Sequence, residues 1–211
     1  MRRVYVDRGA PQRDAIEEAG MWIRQGSVIA MPTDTLYGLA ADPFNRLAVQ
    51  RVFDVKGRAG DRALPLIAAD VRQVVDHLGA LPALATKLAE RFWPGALTLL
   101  ITAPAALAPD VTGGTGRVGV RIAADPIARD VCRAADRPVT ATSANVSGEP
   151  ATADPDVVER TLGARLEFLL DAGPTAGGAP STIVDVTGVA PVLVRAGAVS
   201  WEEIRAWLHL A

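Results

Sequence analysis

Val118-Gly119-Val120-Arg121-Ile122 alternates apolar side chains with Gly119 and Arg121, a period of two that puts Val118, Val120 and Ile122 on one face of a β-strand. The apolar run Leu97-Thr-Leu-Leu-Ile-Thr102 reads as the strand before it, with no helical periodicity between the two. Strands that follow one another without a crossover helix argue against a regular Rossmann winding. The spacing predicts an α/β (α+β) chain built on a twisted, mixed β-sheet flanked by helices.

Outward from this pair, helix-like and strand-like segments alternate. Over 11–25, Ala15, Ile16, Ala19, Trp22 and Ile23 share one helical face, Gly26 ends the helix, and 27–31 (Ser-Val-Ile-Ala-Met) reads as a buried strand. A helix is expected over 46–55, a strand over 64–68, a helix after Asp70, and another from Pro82 to about Trp93-Pro94-Gly95. Asp125-Pro126 and Asp154-Pro155 each look like an N-cap followed by proline at the first helical position. Short strands are expected at 139–142, 166–170, 182–186 and 192–195. Ser200 with Glu203 three residues on forms a capping box before the last helix. The Gly/Pro-rich stretch 173–180 reads as a flexible surface loop rather than a boundary, so residues 1–211 are expected to form one domain with its core at about 14–200.

The 211 residues suffice to bury a real core, and 49% apolar with 22% charged residues is the balance of a globular chain. A net charge of -2 supplies no global positive field for nucleic acid, although a local basic cleft stays open. Cys132 is the single cysteine, so there is no internal disulfide and no cysteine cluster for a metal. His77 and His209 are far apart and suggest no metal site; His77, on an amphipathic helix, reads as a surface histidine. The N-terminus does not have the form of a signal peptide, and no apolar run is long enough to cross a membrane, which makes the cytoplasm the expected location.

Three polar clusters stand at strand or helix ends. Pro32-Thr-Asp-Thr-Leu-Tyr-Gly38 offers two hydroxyls, a carboxylate and a phenol for a small polar ligand; a self-bonded turn, with Gly38 in an unusual conformation, is the slightly stronger reading on spacing alone. Lys56-Gly57-Arg58, with Arg62 close behind, is either a solvated cationic helix end or a phosphate clamp. Thr140-Ala-Thr-Ser-Ala-Asn-Val-Ser-Gly148 exposes hydroxyls, an amide and backbone N–H groups that suit phosphate oxygens, and is equally well a structural turn. Arg121 interrupts an apolar strand and needs an anionic partner, either a carboxylate of the chain itself or a ligand; Arg195 ends another such strand. No P-loop, no Gly-x-Gly-x-x-Gly after a strand and no Ser-His-Asp set is present.

Taken together, Pro32-Thr-Asp-Thr-Leu-Tyr-Gly-Leu-Ala, Phe53-Asp-Val-Lys-Gly-Arg, Trp93-Pro-Gly-Ala-Leu-Thr, Val118-Gly-Val-Arg-Ile, Ala141-Thr-Ser-Ala-Asn-Val-Ser-Gly and Ser181-Thr-Ile-Val-Asp resemble the YrdC-like family, the threonylcarbamoyl-AMP synthases. Six motifs occur in the family's order. The resemblance implies a YrdC-like mixed α/β fold around a positively lined concave face, in the short form of the family without an extra C-terminal domain. It implies synthesis of threonylcarbamoyl-AMP and pyrophosphate from L-threonine, bicarbonate and ATP, for threonylcarbamoyladenosine modification of tRNA. By position, Thr35 would contact substrate threonine and Arg121 its carboxylate, with Ala141 nearby. Lys56, Arg58, Arg62, Ser143, Asn145 and Arg195 would hold ATP, with Lys56 and Arg58 as the catalytic cations. Mg2+ would be held mainly by ATP, and no protein metal site is implied. The implied partner is a downstream tRNA-modifying threonylcarbamoyl transferase complex, with at most weak RNA binding by the chain itself. Ala69, Arg117 and Ala151 stand where the family often has histidine, threonine and serine, and two extra residues separate Arg58 from Pro65. Two other readings compete: a carbamoyl-adenylate former of hydrogenase maturation, disfavoured by the free-standing length, and a non-catalytic RNA-binding module, disfavoured by the acidic balance.

Overall fold

A computed structural model describes residues 1–57 and 62–209. In chain order its strands and helices are Arg2–Tyr5 (β1), Arg13–Arg24 (α1), Ile29–Met31 (β2), Gly38–Ala40 (β3), Arg46–Lys56 (α2), Leu66–Ala68 (β4), Val71–Leu78 (α3), Ala83–Phe92 (α4) and Leu97–Thr102 (β5). Then come Arg117–Ile122 (β6), Pro126–Ala134 (α5), Val139–Thr140 (β7), Thr142–Ser143 (β8), Pro155–Leu162 (α6), Phe168–Asp171 (β9), Thr182–Asp185 (β10), Val192–Arg195 (β11) and Trp201–Leu208 (α7).

The mixed α/β class holds, but the strands divide between two mixed sheets, ordered β1-β9-β2-β3-β8 and β11-β10-β5-β6-β4-β7. The decisive pair, β5 and β6, is antiparallel with Leu99 opposite Val120, while β4 lies parallel to β6 with Ile67 opposite Arg121. The sheets meet where one strand was expected over 139–142. Successive backbone groups of an extended chain point to opposite sides, and here each side finds a different sheet. Thr140 donates its N–H to Ala41 at 3.0 Å and Ala141 donates to Pro65 at 2.8 Å. Thr140 opposes Leu66 in one sheet, and Thr142 opposes Leu39 in the other.

The inner strands β2, β3, β4 and β9 are buried on both faces, which explains their continuous apolar runs, while the edge strands β1 and β11 are largely exposed. On β4, Leu66 and Ala68 face a core containing Phe53, Leu99 and Val120, while Ile67 faces a second core containing Ile29, Val131, Cys132 and Phe168. The caps fall where expected. Asp70 accepts from the Gln73 N–H (2.9 Å), Asp125 from Ile127 (2.8 Å), Asp154 from Asp156 (2.9 Å) and Ser200 from Glu203 (3.1 Å), each cap worth about 1 kcal/mol. His77 is half-buried and packs its ring on Phe44 at 5.8 Å.

Two strands lie outside the sequence reading. β1 is polar and pairs parallel to β9; its Arg3 bonds Asp156, Glu159 and Asp171, all more than 150 residues away. β3 is the three-residue Gly-Leu-Ala that follows the Thr35 turn, antiparallel to β2.

Candidate functional site

A cleft of about 560 Å³ opens at the seam between the sheets, larger than the hollow of about 360 Å³ beside α1 and α5. Thr33, Thr35 and Leu36 line it from the turn after β2, Arg62 and Pro65 from the approach to β4, Thr98 from β5 and Arg121 from β6. Ala141, Thr142 and Ser143 cross its floor between the sheets, while Ser181 and Arg195 come from β10's start and β11. Of the residues singled out in the sequence, Thr35, Arg62, Arg121, Ala141, Ser143 and Arg195 thus share one cleft. Arg58 lies outside the described residues.

The Thr33–Tyr37 segment is both a self-bonded turn and a wall of this cleft. Thr33 Oγ1 donates to the Leu36 carbonyl at 2.7 Å and accepts the Thr35 N–H at 3.2 Å. Gly38 adopts no left-handed conformation; it simply begins β3.

Arg121 has found a carboxylate of the chain and still faces the cleft. Its Nη1 lies 2.7 and 2.9 Å from the two oxygens of Asp34 and 3.4 Å from the Gly95 carbonyl. Both side chains are about one-tenth exposed, so their attraction is weakly screened. The pair lies 87 positions apart in the chain, and no spacing rule connects them.

Lys56 does not line the cleft. It is buried at the end of α2, where Gly57 takes the left-handed conformation that closes a helix (φ 62°, ψ 36°). Its ammonium donates to the Ser143 carbonyl (2.6 Å), the Asn145 carbonyl (3.0 Å) and Asn145 Oδ1 (3.1 Å). Ser143 Oγ bonds the same Asn145 oxygen at 2.5 Å, and the Lys56 carbonyl accepts the Ser147 N–H at 2.8 Å. Lysine therefore shapes the 143–148 turn, whose Ser143 then faces the cleft.

On the opposite wall, Arg195 donates to the Ser181 carbonyl at 2.7 Å, and Ser181 Oγ lies 2.8 Å from Thr98 Oγ1. Gly197 permits this close approach, because a Cβ there would stand 2.2 Å from the Pro180 carbonyl oxygen. Desolvation first, and then the like charge of Arg121, hold the Arg195 guanidinium below its ordinary range although its side chain reaches the surface. Three arginines, Arg62, Arg121 and Arg195, thus line one concavity in a chain of net charge -2, which favours an anionic occupant. Thr98 and Ser181 were given no role in the sequence reading; Ser181-Thr-Ile-Val-Asp marked the place without assigning it.

The three departures fall differently. Ala69 is buried and donates its N–H to Gln73 at 2.9 Å. Arg117 is ion-paired to Asp185. Ala151 lines the cleft. The 173–180 stretch, expected as a flexible surface loop, is bonded to the Thr35 turn: Gly177 donates its N–H to the Thr35 carbonyl at 2.8 Å. Among the described residues, no three His, Cys, Asp or Glu side chains gather as metal ligands, and no helix is long and apolar enough to cross a membrane.

The family model Sua5_yciO_yrdC, described as "Telomere recombination", matches residues 21–197. A threonylcarbamoyl-AMP synthase of Bacillus subtilis is 39% identical over 192 residues, covering 90% of this chain and 56% of that protein. A putative threonylcarbamoyl-AMP synthase of Mycobacterium tuberculosis is 36% identical over 182 residues, covering 86% of this chain and 83% of that protein. The solved structure of Pyrococcus abyssi Sua5 complexed with L-threonine superposes with a TM-score of 0.93 at 35% identity, covering 99% of this chain and 61% of that one. The chain therefore spans less than two thirds of the length of the Bacillus and Pyrococcus proteins.

Proposed function

From the premise that the chain belongs to the Sua5/YciO/YrdC family, we propose that it joins L-threonine, bicarbonate and ATP into threonylcarbamoyl-AMP with release of pyrophosphate. The observation that carries this reading is the seam cleft, where Thr35, Arg121, Ala141, Ser143 and Arg195 converge from separate elements. Threonine lies against Thr35, with its carboxylate on Arg121 beside the Ala141 backbone. ATP lies along Ser143 and Asn145 towards Arg195, with Lys56 bracing their turn and Arg58 and Arg62 completing the phosphate contacts.

The chemistry requires little covalent work from the protein. The threonine amine adds to the carbon of bicarbonate with loss of water, giving a carbamate. A carbamate oxygen then attacks the α-phosphorus of ATP, and the bond to the β-phosphate oxygen breaks to release pyrophosphate. The nucleophile is already anionic, so the residues act by positioning it and by stabilising charge on the phosphates. Arg58 and Arg62 are the cations assigned to that role, and Lys56, buried outside the cleft, supports it by holding the Ser143–Asn145 turn. Asp34 already has both oxygens engaged by Arg121, which fits magnesium arriving on the triphosphate rather than held in a protein cage. The product is a mixed anhydride, suited to donate its threonylcarbamoyl group to tRNA adenosine through a separate transferase complex in the cytoplasm. Contact of this chain with RNA is then weak and salt-dependent.

Pyrophosphate release measured with threonine, bicarbonate and ATP, omitting each in turn, tests the reading. Release that needs all three supports it. Release without threonine points to a carbamoyl-adenylate former, and no release with salt-sensitive RNA binding points to a non-catalytic module.

A further inference from the structure

The Thr35 carbonyl accepts two hydrogen bonds from outside its own turn. Thr175 donates its hydroxyl at 2.7 Å, and Gly177 donates its N–H at 2.8 Å. Both donors belong to the segment 172–180, so one strap of chain takes both lone pairs of the carbonyl. The root of the strap is fastened to the same turn. Tyr37, fully buried, donates its hydroxyl to the Gly173 carbonyl at 2.8 Å and accepts the Ala172 N–H at 3.1 Å. Burial pushes the Tyr37 phenol up, so it stays a neutral donor at physiological pH. Asp171 accepts the Gly173 N–H on one oxygen and Arg3 Nε on the other, each at 2.8 Å. Arg3 lies in β1, outside the stretch 21–197 matched by the family model.

We infer that Thr175 is a positioning residue for the amino-acid substrate, acting through the backbone of Thr35. The inference rests on the reading of Thr35 as a contact of substrate threonine. Thr175 is buried and is not part of the cleft lining, so it reaches the substrate only by fixing the Thr35 turn. The nucleotide half has a brace of its own, Lys56 on Ser143 and Asn145, and meets the Thr35 turn through the Ala144 N–H, which donates to the Tyr37 carbonyl rather than to that of Thr35. Loosening the strap therefore moves the threonine contact and leaves the ATP contacts in place. Selectivity among amino acids would be set partly by a residue that never touches them.

The test compares Thr175→Val, which keeps the volume and removes the donor, with Thr175→Ala and Thr175→Ser. Steady-state pyrophosphate release gives KM for threonine and for ATP, and thermal melting follows the fold. Losing one hydrogen bond to the turn should raise the threonine KM about 3- to 10-fold in Val and Ala, with ATP KM unchanged and Ser restoring the original value. Should Val fail to fold, the Ala and Ser pair decides alone. An unchanged threonine KM, an equal rise in ATP KM, or no recovery in Ser overturns the inference. The unaltered protein is measured alongside: no threonine-dependent release from it sinks the functional reading itself, whereas normal release with indifferent variants sinks only the role of Thr175.

Discussion

Lys56 Nζ lies 3.1 Å from Oδ1 of Asn145, and the same oxygen receives Ser143 Oγ at 2.5 Å, so one amide oxygen joins a buried cation to a cleft-facing hydroxyl. Lys56→Met keeps the apolar stem and removes the donors to three oxygens. Hydrogen bonds to charged groups are worth about 1.5–3 kcal/mol each, so the variant should melt lower and bind ATP at least about tenfold more weakly. Arg58→Ala should also weaken ATP binding. Calorimetric titration reads both; unchanged ATP affinity in the two variants would remove the Lys-Gly-Arg segment from the nucleotide site.

Arg121→Leu should raise the threonine KM well above any change for ATP. It also strands Asp34, whose carboxylate is only 12% exposed, and breaking one side of a buried pair costs about 3–5 kcal/mol. The double variant Asp34→Asn/Arg121→Leu should therefore be more stable than Arg121→Leu alone, while its threonine KM stays high. Chemical denaturation and kinetics separate the two effects. Collapse of ATP affinity with threonine affinity intact would reverse the assignment of the two halves.

What could be read in the chain beforehand follows the range of the interactions. Helix starts were legible because Asp70, Asp125, Asp154 and Ser200 bond N–H groups two or three residues away. β1 was not, because Arg3 finds its carboxylates in α6 and β9. Ala141 read as the middle of a strand, yet its neighbours bond two different sheets. The site residues were legible as polar groups at strand ends, but the Arg121–Asp34 pair and the burial of Lys56 depend on contacts 87 positions along the chain. The 173–180 stretch read as flexible because glycine and proline carry no apolar pattern. Its tethers are backbone and hydroxyl bonds, which leave no periodic mark.

Cys132 should be inert in the folded protein. It is fully buried, its thiol donates to the Ile67 carbonyl at 3.4 Å, and burial pushes its pKa up to about 12. Since the thiolate is the reactive form, a disulfide reagent at pH 8 should label it only after denaturant is added. Rapid labelling of native protein would mean that α5 does not pack on β4 as described.

Thr35 faces the cleft and should help read the substrate side chain. Enclosing an extra methyl separates threonine from serine by roughly 10–200-fold, so serine should be a poor but detectable substrate and alanine a worse one. Thr35→Val keeps volume while removing the hydroxyl, and should lower threonine turnover and the threonine-to-alanine preference together. Equal rates for threonine and alanine in the unaltered protein would show that this turn does not read the hydroxyl.

Mass spectrometry of the reaction with ATP, L-threonine and 13C-bicarbonate tests the central claim most directly. The account predicts an adenylate with the mass of AMP joined to N-carboxythreonine, carrying one 13C from bicarbonate and absent when threonine is withheld. An adenylate without the label, or ATP consumed to the same extent without threonine, would contradict it.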